Sequence, residues 1–203
     1  MELLPAIIFF AISMSVTPGP NNIMVMTSGL NFGVQKSMPL FLGVCIGFPV
    51  MVIFVGLGLS VVFQLYPMLF EVIKGFGILY LLYLAYILAS STVSYSNKKP
   101  KPLTFFQGAL FQWVNPKAWI TAMGAIAAYT SVSLDLYVQI FIISLTFLVV
   151  AFPCVGIWLI FGNRLKNILY KNTHQTYFNY SMGFLLFLSV LPVIGELLKK
   201  HML

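Results

Sequence analysis

Thr17-Pro18-Gly19-Pro20-Asn21-Asn22 interrupts an apolar stretch that otherwise runs from residue 3 to about residue 27. A second interruption, Trp113-Val114-Asn115-Pro116-Lys117, sits inside the stretch 104–129. Proline lacks a backbone N–H and drives the residue before it out of the α region, so neither stretch can run as one regular helix. Pro20 suits the first position of a new helix, and so does Pro116 with Asn115 as its cap. Each interruption therefore predicts a helix N-terminus, with free N–H groups and the positive end of the dipole, in the middle of an apolar segment. Such an end suits an anion, for instance a carboxylate.

The rest of the chain makes those segments membrane spans. Its 203 residues are 60% hydrophobic and only 7% charged, with mean hydropathy +0.98. A soluble domain of this size has no use for so much apolar surface. Continuous apolar runs fall at 3–27, 38–63, 68–90, 104–129, 137–161 and 178–197. Each is long enough for a hydrocarbon core of about 30 Å. A β-barrel would show alternating segments of about ten residues instead. The expected fold is an all-α polytopic membrane protein of six transmembrane helices, one transporter domain over 1–203. The breaks fall in the first and fourth spans, the same place in each half. That predicts a 3+3 inverted repeat with helices 1 and 4 broken at proline, the halves being about 1–97 and 98–203. Cys45-Ile46-Gly47 and Cys154-Val155-Gly156 add a slight likeness between spans two and five.

The formal charge of +7 would suggest nucleic acid in a soluble protein. Here the cations sit in short loops, where they set topology and meet anionic lipid headgroups. Lys36, Lys98, Lys99, Lys101, Arg164, Lys166 and Lys171 lie on one side, and Lys74, Lys199 and Lys200 on the other. The excess puts the odd loops in the cytoplasm and both termini outside. Glu2 replaces a basic leader, so the N-terminus does not read as a cleavable signal peptide. Cys45 and Cys154 both lie in apolar runs and form no disulfide framework. No metal-ligating or nucleophilic constellation is present, so neither enzyme activity nor a cofactor is expected.

The candidate substrate site comprises Thr17, Pro18, Gly19, Pro20, Asn21, Asn22, Gln112, Asn115, Pro116 and Lys117. At 1.5 Å per residue the first break lies ~22 Å from the outside and the second ~17 Å from the inside, roughly 10 Å apart in depth. A lysine at the centre of a span costs about 2.5–3.5 kcal/mol on insertion scales. Lys117 should therefore pair with an anion, face water or lose its charge, unless it snorkels to an interface. A coupling role falls to Lys117 or to Glu71, three residues before Lys74 on one helix face; an interfacial ion pair is the plainer reading of Glu71. His174 and His201 read as solvated. Gln112, one turn before the second break, could satisfy freed backbone groups or touch substrate. Gly43-Val44-Cys45-Ile46-Gly47 allows close helix approach, and Gly75, Gly77, Gly108 and Gly124 are expected to do the same. Tyr80, Tyr83 and Tyr86 form one stripe suited to packing or an interface.

These residues carry a resemblance. Thr17 to Asn22, Gly29-Leu30-Asn31-Phe32-Gly33, Gly75 with Tyr80-Leu81-Leu82-Tyr83-Leu84-Ala85-Tyr86, and Phe105, Gly108 and Asn115-Pro116-Lys117-Ala118-Trp119 together resemble the lysine exporter (LysE/RhtB) family of amino-acid exporters. The resemblance implies efflux of a small amino acid or derivative across a bacterial inner membrane, driven by a proton or ion gradient. A homodimer is left open. The only acidic residues, Glu2, Glu71, Asp135 and Glu196, lie near span ends or in loops, which favours a neutral substrate. Its ammonium would meet carbonyls freed at the breaks. Two other readings stand beside this one: a passive channel for small solutes, and a thiol-reductant conduit using Cys45 and Cys154.

Overall fold

A computed structural model describes residues 3–90, 101–131, 135–168 and 172–202. All its regular elements are helical. They are α1 (Leu4–Val16), α2 (Pro20–Phe54), a π-helical turn (Val55–Leu59), α3 (Ser60–Leu65), α4 (Pro67–Ser90), α5 (Phe105–Phe111), a 3-10 turn (Gln112–Val114), α6 (Pro116–Tyr129), α7 (Leu136–Ile168) and α8 (Asn172–Met202). Pro20–Leu59 and Leu136–Leu165 are long and apolar enough to cross a membrane, each with a mean hydropathy of 2.6 over its best window.

Both proline breaks are present. The helix of the first stretch stops at Val16 and restarts at Pro20 behind an extended Gly19. The second stops as a 3-10 turn and restarts at Pro116 behind Asn115, whose side chain accepts from the Lys117 N–H at 3.1 Å. Asn115 is thus the N-cap that its sequence position predicts.

The chain doubles back within α2. Gly33 has φ 79° and ψ 172°, a conformation that side chains disfavour. Ser28 and Ser37 exchange a hydrogen bond at 2.7 Å. In a straight helix nine residues would separate them by ~13.5 Å along the axis. The expected loop 31–37 is therefore a sharp reversal between two helical limbs, 20–32 and 34–54. The expected loop 162–177 is shorter still, since α7 continues to Ile168 and α8 begins at Asn172. Span two departs the other way. It is interrupted by the π-helical turn, where Gly58 has φ 104°.

Two clusters form the core. Met24 and Val25 join Leu40, Val44, Cys45, Leu84, Leu88, Phe111, Val155 and Leu186 in one. Ile7, Ala11, Phe48, Met51, Trp119, Ala122 and Phe147 belong to the other. α2 and α7 contribute to both, with α4 and α8 on one flank and α1 and α6 on the other. Glycine permits the close crossings. A Cβ on Gly43 would collide with the Phe105 carbonyl, one on Gly47 would lie 2.6 Å from the Ala109 Cα, and one on Gly108 would lie 2.7 Å from the Leu40 carbonyl. The second limb of α2 and α5 thus touch backbone to backbone, as the G-x-x-x-G spacing suggests. Among the described residues a Cβ on Gly75 or Gly124 would meet nothing within 4 Å, so the packing role expected of them is not found there. The surroundings of Gly77 lie outside the described residues.

One end of this bundle collects cations. The Gly33 reversal lies against Asn163, next to Arg164, and Lys36 follows three residues on. Lys101 shares a cavity with Asn31 and Phe32 at the same end. Asp135 lies elsewhere and accepts from the Val138 N–H at 2.9 Å, as a residue capping the start of α7 would.

Candidate functional site

The two breaks touch. The Lys117 ammonium donates to the Thr17 carbonyl at 3.0 Å and to its hydroxyl at 2.7 Å. One turn away, the side-chain amides of Asn21 and Gln112 exchange two hydrogen bonds, at 2.9 and 3.0 Å. The offset of roughly 10 Å in depth expected from residue counting is therefore not observed. Counting assumes straight, perpendicular helices, and the broken ones depart from that. Lys117 does not lack a partner either: a carbonyl released by the first break receives it.

The other carbonyls at the end of α1 are occupied too. Asn22, 3% exposed, donates to the Ser15 and Thr17 carbonyls at 3.0 and 2.9 Å. Trp158 Nε1 donates to the Val16 carbonyl at 3.1 Å. At the second break Trp119 Nε1 donates to the Trp113 carbonyl at 2.8 Å. Backbone groups freed inside an apolar bundle must find partners within the protein, and here indole and amide side chains supply them. A substrate ammonium directed at those carbonyls, as expected from sequence, would have to displace protein donors.

The helix starts differ. Asn115, 1% exposed, caps α6 with its own side chain. No side chain caps the start of α2, where Gly19 is the N-cap and Pro20 has no N–H. A Cβ on Gly19 would lie 3.3 Å from Lys117 Nζ, so the ammonium sits against that uncapped end. Two sources of positive potential converge there.

A cavity of about 50 Å³ opens beside them. Of the ten residues singled out from sequence, Gly19, Asn21, Asn22, Asn115 and Lys117 line it. Thr17 and Gln112 act through hydrogen bonds to those residues, and Gln112 also donates to the Gly108 carbonyl of its own helix. Pro20 and Pro116 start helices, and Pro18 is exposed. The structure adds residues that no motif flagged. Ser15 comes from α1, Phe48 from the second limb of α2, Thr121 from α6 and Phe147 from α7. Thr121 was legible in part, being one turn after Lys117 on the same face. Phe48 and Phe147 meet edge to face at 5.0 Å and form an aromatic wall. Among the described residues, Lys117 is the one ionisable residue in the lining.

Among the described residues, none of the remaining sequence candidates lines the cavity. The backbone of Glu71 and Lys74 runs in α4, but their side chains lie outside the described residues. His174 is exposed near the start of α8, and the side chain of His201 lies outside the described residues. Cys45 and Cys154 are buried in different core clusters and neither lines the cavity. The Tyr80 hydroxyl donates to the Gln107 carbonyl at 3.2 Å, while Tyr83 and Tyr86 are exposed.

The family model described as LysE type translocator matches residues 12–192. The cysteine/O-acetylserine efflux protein of Salmonella choleraesuis (strain SC-B67) is 29% identical over 128 residues, 63% of this chain and 65% of the relative. The protein of the same name from Escherichia coli (strain K12) is 27% identical over the same shares. The chain thus aligns with about two-thirds of the length of these relatives, just under that fraction. No solved structure matches.

Proposed function

Because the chain belongs to the LysE type translocator family, whose members are membrane-embedded transporters and not enzymes, we propose that it exports a small neutral amino acid or derivative from the cytoplasm of a bacterium. One observation carries the reading: the Lys117 ammonium and the uncapped start of α2 converge on a cavity that no acidic residue lines among the described residues. A substrate carboxylate binds there. Its ammonium faces Ser15, Thr121 and the Phe48–Phe147 wall, where ring faces attract cations. Among the described residues of the lining, a cationic side chain would find no carboxylate to neutralise it. The relatives' names, with cysteine and O-acetylserine, point to the same substrate class. The cavity has room for a few waters, so taking in an amino acid requires the breaks to part. Thr17, Pro18, Pro20, Gln112 and Pro116 shape the site from outside its lining.

Six spans arranged as an inverted repeat of 1–97 and 98–203 complete the proposal. The packing supports it. Exchanging spans one and four, two and five, and three and six turns the α1–α7 contact into that of α5 with the second limb of α2, and returns α4–α8 to itself. The cationic end of the bundle is the cytoplasmic end, which leaves both termini outside. Lys117 is the coupling group to a proton or ion gradient, since among the described residues of the lining it alone can carry a charge that substrate binding would alter.

The test is transport by the purified full chain in proteoliposomes. With an imposed proton gradient, O-acetylserine or another neutral amino acid should accumulate, and an uncoupler should abolish the accumulation. Equilibration without accumulation would make the protein a passive channel. No movement of any amino acid would reject the reading.

A further inference from the structure

A second, smaller cavity lies between the first limb of α2, α4 and the segment 101–103, at the cationic end. Thr27, Ser28, Asn31 and Lys101 line it with Met24 and Leu88. Its volume is about 10 Å³, room for one water. Thr27 is 2% exposed, and its hydroxyl has no hydrogen-bond partner among the described residues. The threonines at 121, 130 and 146 all return their hydroxyls to the carbonyl four residues back. Thr27 makes no such bond and leaves its hydroxyl unpaired beside the cavity. A buried polar atom left unpaired in a helix bundle calls for an explanation, and packing does not provide one.

This cavity and the break site share a helix face. Asn21, Met24, Thr27 with Ser28, and Asn31 recur every three or four residues along the first limb of α2. Asn21 lines the larger cavity, Thr27 and Asn31 the smaller. Between them stands Met24, 1% exposed, packed in one cluster with Val44 of the larger cavity's wall. Methionine is unbranched and changes rotamer readily. Lys101 is exposed at the outer edge.

We propose that the Thr27 cavity is the inner section of the translocation path, a hydrated polar site joining a mouth marked by Lys101 to the break site, with Met24 as the plug. The proposal rests on the transport reading above. It assigns the Thr27 hydroxyl to contact with a zwitterionic substrate and Lys101 to capture of its carboxylate, while Asn31, whose amide donates to the Thr27 carbonyl and exchanges hydrogen bonds with Asn179, holds the wall of the path.

Cysteine labelling tests it in the full chain with Cys45→Ala and Cys154→Ala as background. Inside-out vesicles are treated with the water-soluble reagent methanethiosulfonate ethylammonium, which needs a hydrated thiolate. Thr27→Cys should label about tenfold or more faster than Ile120→Cys, because only a hydrated thiol ionises. That order inverts the order of exposure, 2% against 66%. If Thr27→Cys does not insert, Ser28→Cys carries the same measurement. Labelling no faster than at Ile120→Cys overturns the inner path. Ser15→Cys then separates the two readings: if it labels, the break site stands and only the inner path is lost, and if it is silent both are. Met24→Ala should speed labelling of Ser15→Cys from this face severalfold; an unchanged rate removes Met24 as the plug.

Discussion

Lys117 holds both oxygens of Thr17 from a position 100 residues away, closing one broken helix onto the other. The pair joins the end of α1 to the start of α6 at the mouth of the cavity. A lysine that costs insertion energy in the middle of an apolar segment is thereby satisfied by a backbone oxygen that the first break released.

Lys117→Met should lower transport in proteoliposomes by at least about tenfold, equivalent to ~1.4 kcal/mol of barrier. Its thermal midpoint in detergent should change little. The lysine is half-buried, and the Thr17 carbonyl keeps the Asn22 donor. Unchanged transport would make the contact a structural tether only.

The Asn21–Gln112 amide pair lends itself to a double-mutant cycle. Gln112 is fully buried, so Gln112→Leu alone strands the Asn21 amide and should cost about 1–3 kcal/mol in unfolding free energy. Asn21→Leu alone should do likewise. The double substitution removes both orphans and should recover about 0.5–3 kcal/mol of the sum. Strict additivity would mean that the two amides do not support each other.

Trp158→Phe deletes one donor and keeps an aromatic ring. The Val16 carbonyl would lose its partner at the end of α1, at a cost of about 1 kcal/mol. A lower thermal midpoint together with slower transport is the expected result, because the first break is held open by that bond. Slower transport at an unchanged midpoint would instead point to direct substrate contact.

Two glycines separate packing from tolerance. Gly43→Leu must push α5 away from α2 and should destabilise the fold by about 1–3 kcal/mol or prevent insertion. Gly124→Ala meets nothing within 4 Å and should be neutral or stabilising by about 0.5–1 kcal/mol through helix propensity. Equal damage from both would contradict the observed crossing of α2 and α5.

The helical class, the two breaks and the helix starts at Pro20 and Pro116 were legible in the chain because proline geometry and apolar runs are local properties. The reversal near residues 31–37 was legible too, though its sharpness was not: it depends on Ser28 meeting Ser37 across Gly33. The motif residues of the break site were readable from the same local chemistry, and five of them line the cavity. Packing alone decided that the breaks sit level, that Lys117 has Thr17 as its partner, and that Trp158 from α7 caps the Val16 carbonyl. Each of those contacts joins residues 91 to 142 positions apart or depends on such a contact, and helix tilt and crossing, which no local rule contains, set which of them can meet. Local stereochemistry therefore determined where the helices break, and the tertiary structure decided what each broken end holds.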